Sequence, residues 1–356
     1  MKIVTIVGAR PQFIKAAPVS RVLRVNNTEI LVNTGQHYDR EMAGIFFDEL
    51  GIPAPDHDLA VGSASHGVQT GLMLAAIESL LQVERPDAVL VYGDTNSTLA
   101  GALAASKLAI PVAHVEAGLR SFRKSMPEEI NRVLTDHLST WLFAPSTAAK
   151  LRLGREGIDN GVHVVGDVMY DAILSLAGRL RRVSPYPGAL GLREKEYILC
   201  TIHRAENTDD PLRLASLFEA LDRLPAGVVL PLHPRTKKKL AEFGIVPGRN
   251  VVLTGPVGYA DMLRLQQAAS CVLTDSGGVQ KEAYYLEVPC VTLREETEWT
   301  ETVDAGWNTL AGADAGLILS AVERARGPLP PHPELYGSGD ASRLIGGILS
   351  QVCAEA

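Results

Sequence analysis

The chain has 356 residues, 46% hydrophobic and 21% charged, with a formal net charge of −7. That is globular composition, long enough for two domains of roughly 100–200 residues each, with cores that need no disulfide or metal. The acidic balance excludes a general electrostatic footprint for nucleic acid, and no apolar run approaches the ~20 residues of a membrane span.

Residues 2–7 read as a buried strand that Arg10 and Pro11 end too early for a signal peptide. A helix over 11–23, a strand over 30–33 and a helix over 40–50 follow. Helical periodicity covers 68–82, where Leu72, Leu74, Ala75, Leu80 and Leu81 recur. Strands are expected at 88–92, 112–115, 141–144 and 163–165, with helices near 97–108 and 127–139. A second series starts at Tyr197, with strands at 198–202, 228–232, 251–254, 271–274 and 290–293. Helices near 211–223, 236–243, 260–268 and 279–286 separate them. Strands alternating with helices imply βαβ units and a parallel sheet, so two series imply two doubly wound α/β domains. The expected domains are 1–170 and 186–336. Between them lie Arg179, Arg181, Arg182, Pro185 and Pro187. Tyr336-Gly337-Ser338-Gly339 reads as a hinge, and Asp340 as the N-cap of a final helix, 341–356, able to pack back on the first domain. Cys200, Cys271 and Cys290 sit in apolar strand-like runs, and with Cys353 they form no Cys-x-x-Cys pair. They read as buried thiols in a reducing, cytoplasmic compartment.

Five motifs fall where strands end: Gly8-Ala9-Arg10-Pro11, Tyr92-Gly93-Asp94-Thr95, His114-Val115-Glu116-Ala117-Gly118-Leu119-Arg120, His203-Arg204-Ala205-Glu206-Asn207 and Asp275-Ser276-Gly277-Gly278. In an open parallel sheet, ligands bind outside the carboxyl ends of the strands. Asp94, Glu116 and Glu128 are therefore candidate acid/base carboxylates. Asp94 would serve equally as an N-cap for a helix at Asn96, and Glu128 as an early-turn acid facing the helix dipole. Arg10 and Lys15 follow the first strand, where phosphates often sit. His203-Arg204 and His233-Pro234-Arg235 follow two successive strands of the second half and suggest an anion site. Ser276, Gly277 and Gly278 allow close backbone approach ahead of a helix start, and Glu282 is spaced to accept ribose hydroxyls; a simple Ser-capped helix is the competing reading. Metal-ligand spacing is absent, and neither Gly-x-Gly-x-x-Gly nor a P-loop occurs. No metal and no cofactor are therefore expected.

Together these motifs, with Pro127-Glu128-Glu129-Ile130-Asn131-Arg132, resemble the non-hydrolysing UDP-N-acetylglucosamine 2-epimerases over most of the chain. The resemblance implies the glycosyltransferase-B architecture, two Rossmann-like domains with the site in their cleft, a UDP-sugar substrate and a homodimer. It implies elimination of UDP to a 2-acetamido glycal, followed by re-addition. By similarity, Asp94, Glu116, Glu128 and His203 are catalytic. Arg10, Lys15 and Arg132 line the site, Ser276, Gly277 and Gly278 form the diphosphate loop, and Glu282 contacts the ribose. Two departures stand out. Glutamines that contact an activating second UDP-GlcNAc in many bacterial members are missing after Gln36-His37. Thr297-Glu298-Trp299-Thr300-Glu301 replaces the common Thr-Glu-Arg-Pro-Glu and resembles relatives acting on a 2,3-diacetamido uronic acid sugar. A glycosyltransferase of the same fold is the alternative enzyme.

Overall fold

A computed structural model describes residues 1–36 and 54–355. The helix expected at 40–50, and the departure after Gln36-His37, lie outside the described residues. The chain divides into two compact units, Met1–Leu174 with Tyr336–Ala356, and Ser175–Leu335.

The first unit is built on a seven-stranded sheet of β1 (Lys2–Val7), β2 (Thr28–Asn33), β3 (His57–Asp58), β4 (Ala88–Tyr92), β5 (Val112–Val115), β6 (Trp141–Ala144) and β7 (Val162–Val164). Its order is β3-β2-β1-β4-β5-β6-β7, every pair parallel. β1 and β4 are continuous apolar runs because helices cover both sheet faces. Val4, Ile6, Val89 and Val91 pack with Met73, Ile77 and Leu81 of helix His66–Glu84 and with alanines of helix Asn96–Lys107.

The second unit carries β8 (Tyr197–Thr201), β9 (Gly227–Pro231), β10 (Val251–Thr254), β11 (Cys271–Thr274), β12 (Cys290–Thr292) and β13 (Asn308–Leu310). The parallel order is β10-β9-β8-β11-β12-β13. Along β8, Ile198 and Cys200 enter one core, with Leu214, Leu217 and Phe218. Tyr197 and Leu199 enter the other, with Val229, Leu265 and Val272. Cys200, Cys271 and Cys290 are buried free thiols. β3, β13 and the helices Thr147–Arg155, Val168–Ala177, Thr300–Asp304 and Ala315–Ala325 were not anticipated from sequence.

In both sheets the strand order reverses at one place, between β1 and β4 and between β8 and β11. Such switch points leave a crevice at the strand carboxyl ends where ligands bind. The motifs containing Gly8, Asp94, His203 and Asp275 follow those four strands.

The expected cap of the last helix, Ala341–Glu355, is corrected. The Asp340 carboxylate pairs with Arg343 at 2.7 Å and accepts from the Ser338 hydroxyl at 3.1 Å. The helix amides of Ala341 and Ser342 donate instead to Asp171, at 3.2 and 2.7 Å, and the Ser342 hydroxyl does so at 2.6 Å. Asp171 lies 170 residues earlier, out of reach of a local capping rule.

Candidate active site

At the end of β1 only glycine fits position 8, because a Cβ there would stand 2.0 Å from the Thr34 hydroxyl oxygen and 2.3 Å from that of Ser97. Gln12 stitches this loop to β4. Its Oε1 accepts from the amides of Gly8 and Ala9 at 2.9 and 3.0 Å, and its Nε2 donates to the Tyr92 carbonyl at 2.8 Å. Arg10 opens helix Arg10–Asn26. One turn on, Lys15 pairs with Glu116.

Thr95, not Asp94, caps helix Asn96–Lys107, its hydroxyl accepting from the Thr98 amide at 3.3 Å. Asp94 is thereby left to pair with Arg132, which also holds Glu129 at 3.2 Å. Gly93, the residue before Asp94, lies against the Lys15–Glu116 pair; a Cβ on it would stand 3.3 Å from Glu116 Oε2 and 3.5 Å from Lys15 Nζ. Burial raises the Asp94 carboxyl above its ordinary range although Arg132 and Lys15 oppose it, and Glu116 adds to the rise. Burial alone would lower the Lys15 ammonium, but Glu116 outweighs it and the net shift is upward. Glu116 has φ 73°, a left-handed conformation that a non-glycine residue adopts at a cost of about 1–3 kcal/mol. Strain of this kind concentrates at functional sites, where the surrounding structure over-determines it.

Glu128 is exposed on the first turn of helix Pro127–Leu138. Its neighbour Glu129 turns inward and accepts from the Ser121 amide and hydroxyl at 2.8 and 2.9 Å and the Phe122 amide at 2.9 Å. The first unit thus brings together Lys15, Asp94, Glu116 and Arg132 in two ion pairs, and the exposed Glu128 belongs to neither.

In the second unit Asp275 is the hub. Fully buried, it accepts from the amides of His203 and Arg204, both at 2.9 Å, and from Asn207 Nδ2 at 3.2 Å. Its Oδ1 lies 3.0 Å from His203 Nδ1. Burial pushes the Asp275 carboxyl up, yet His203 and these amides hold it below the usual range. An ionised Asp275 makes His203 Nδ1 the donor and leaves Nε2 for a ligand. The His233 ring lies 5.6 Å from that of His203. Its Nδ1 accepts from the Arg235 amide at 3.1 Å, and burial and the neighbouring His203 lower its pKa.

Ser276 occupies the N-cap position of helix Gly277–Tyr285, but its side chain makes no capping bond. The Ser-capped reading is therefore corrected. The Ser276 amide donates to the Thr274 hydroxyl at 3.0 Å, and Gly277 and Gly278 open the helix. An uncapped helix start on glycines suits an anion. Glu282 is buried and accepts from Gln266 at 2.6 Å. Trp299 donates from Nε1 to the Gly277 carbonyl at 2.9 Å, and Lys281 Nζ sits 4.0 Å from the Trp299 ring centroid. Among the described residues no group of three or more His, Cys, Asp and Glu is placed to hold a metal ion, and no helix is long and apolar enough to cross a membrane.

The first unit therefore offers two carboxylates with a cation each, suited to moving protons on a substrate carbon. The second offers a helix start and an oriented histidine, suited to an anionic group. Sequence reasoning passed over Gln12, Glu129 and the hub role of Asp275, although all three lie inside or beside the quoted motifs.

A family model described as UDP-N-acetylglucosamine 2-epimerase matches residues 22–350. A "UDP-N-acetylglucosamine 2-epimerase homolog" of Methanococcus maripaludis is 52% identical over 350 residues, covering 97% of this chain and 98% of the relative. The UDP-2,3-diacetamido-2,3-dideoxy-D-glucuronate 2-epimerase of Pseudomonas aeruginosa is 50% identical, covering 99% and 100%. The crystal structure of Methanocaldococcus jannaschii UDP-GlcNAc 2-epimerase in complex with UDP-GlcNAc and UDP superposes with a TM-score of 0.88 at 44% identity, covering 99% and 100%.

Proposed function

The chain belongs to the UDP-N-acetylglucosamine 2-epimerase family, and we propose that it interconverts UDP-GlcNAc and UDP-ManNAc by eliminating and re-adding UDP. The observation that carries this is the pairing of Glu116 with Lys15 and of Asp94 with Arg132 beside one switch point.

The C2 proton is not next to a carbonyl, so removing it alone is unfavourable. If the C1–O bond to UDP breaks as the C2–H bond breaks, the electrons form the C1=C2 bond of a 2-acetamido glycal. A carboxylate takes the C2 proton, a carboxylic acid returns one to the opposite face, and UDP oxygen rejoins C1. Glu116, ion-paired with Lys15, acts as the base, and Asp94, raised by burial, as the acid. Glu128 stands by resemblance as a third carboxylate and Arg10 as a site-lining cation. The helix start at Ser276, Gly277 and Gly278, with His203 and His233, stabilises the departing diphosphate, and Glu282 contacts the ribose. The reaction needs no redox cofactor.

A second reading, epimerisation of UDP-2,3-diacetamido uronic acid, is favoured by Trp299 on the diphosphate loop and by the Pseudomonas aeruginosa relative. The free thiols fit a reducing compartment such as the cytoplasm. Exposed Val68, Leu72, Ile130 and Leu134, all in the first unit, support a homodimer. Incubation with each nucleotide sugar, followed by anion-exchange separation of the C2 epimers and of leaked UDP and glycal, tests the function. Epimer formation with trace glycal supports elimination; turnover of neither sugar rejects the proposal.

A further inference from the structure

Behind Glu116 lies a polar network that the proposed chemistry does not use. His114 of β5 is fully buried, as are Asp136 of helix Pro127–Leu138 and Arg120. His114 Nδ1 stands 2.7 Å from Asp136 Oδ1, and Nε2 stands 2.7 Å from the Gly93 carbonyl oxygen. Asp136 Oδ2 accepts from the Gly118 amide at 3.1 Å and from Arg120 Nη1 at 2.6 Å. Arg120 makes a two-pronged bond to Glu156, with both contacts at 2.7 Å.

A carbonyl oxygen only accepts, so Nε2 carries a hydrogen. Burial pushes the Asp136 carboxyl up, but His114 and Arg120 hold it below its ordinary range, so it too is an acceptor. The ring is satisfied only with hydrogens on both nitrogens. One carboxylate therefore grips two chain segments, Gly93 through His114 and Gly118 directly. Asp94 follows the first grip, and Glu116 sits two residues before the second. The left-handed turn at Glu116 and Gly118 (φ 73° and 82°) is held on one side by the Glu116 and Ala117 amides donating to the Phe143 carbonyl, both at 3.1 Å, and on the other by the Gly118 amide donating to Asp136.

We propose that Asp136 and His114 are positioning residues that fix the spacing of Asp94 and Glu116. The proposal rests on those two carboxylates being the proton-transfer pair. Asp136→Asn replaces one accepting oxygen with a donor facing donors. It is expected to lower kcat about 10²-fold, the scale of a misplacement near 1 Å. KM and UDP affinity should hold, since the diphosphate loop belongs to the other unit. His114→Gln, which can keep an N–H to the Gly93 carbonyl, should lose less than His114→Leu. Nitrogen-15 NMR of histidine-labelled wild type should show a slowly exchanging ring with a hydrogen on each nitrogen, assigned to His114 by its absence in His114→Gln. That measurement needs no folded Asp136 variant. A bare nitrogen on His114, unchanged kcat in Asp136→Asn, or a loss of UDP affinity in step with kcat overturns the proposal. Wild type that turns over neither sugar overturns the functional reading instead.

Discussion

Asp275→Asn isolates one carboxylate that serves both the second unit's stability and its anion site. In the wild type the two oxygens accept from two backbone amides, Asn207 and the His203 ring. Asparagine keeps one oxygen and turns an amide toward those donors, so at least one buried N–H loses its partner. Hydrogen bonds to a charged group contribute about 1.5–3 kcal/mol each. A loss of about 1.5–3 kcal/mol is expected for the second unit. Urea unfolding followed by tryptophan fluorescence suits this, because Trp299 and Trp307 report on the second unit and Trp141 on the first. The folded carboxyl lies below its unfolded value of ~3.9. Its contribution is therefore complete above that value and lost as pH falls through the lower folded one, so the gap between variant and wild type should close below about pH 4. Turnover should fall as well, with ~10⁴ as the upper scale for an Asp→Asn change behind a catalytic histidine. Unchanged unfolding and unchanged turnover would refute both the hub and the orienting role.

Glu116→Gln should keep UDP binding by calorimetry and lose most epimerisation, about 10²–10⁴-fold for one acid/base group; undiminished turnover removes Glu116 from the mechanism. Gly118→Ala places a Cβ 2.5 Å from the Ala149 carbonyl oxygen at φ 82°. The left-handed backbone costs about 1–2 kcal/mol and overpacking about 1–3 kcal/mol, so its chemical-denaturation midpoint should drop clearly. Asp171→Ala removes the acceptor of the Ala341 and Ser342 amides, and amide exchange in the last helix should speed by the equivalent of about 1–2 kcal/mol. Exchange at the wild-type rate would return the capping role to Asp340.

The fold was legible because parallel strands buried on both faces are continuous apolar runs. β1, β4 and β8 announce themselves in this way, and the motifs at their ends mark the switch points. β13 is only three residues long, and helix Thr300–Asp304 only five, too short for periodicity to register. At the site, Lys15, Asp94, Glu116 and Arg132 were named from sequence, and the structure joins them in two ion pairs. What sequence could not show is which acid turns inward. Glu128 and Glu129 are adjacent and chemically alike, and only the amides of Ser121 and Phe122 draw Glu129 into the fold. Asp136 was invisible because its three partners come from β5, a turn and an arginine, all 16 or more residues away.

The most direct test of the account is proton NMR of the purified protein with UDP-GlcNAc in deuterated water, without added metal or nicotinamide cofactor. Elimination and re-addition should place deuterium at C2 as UDP-ManNAc accumulates, because the proton lost to one carboxylate is replaced from solvent. Accumulation of the epimer with C2 still fully protonated would contradict it.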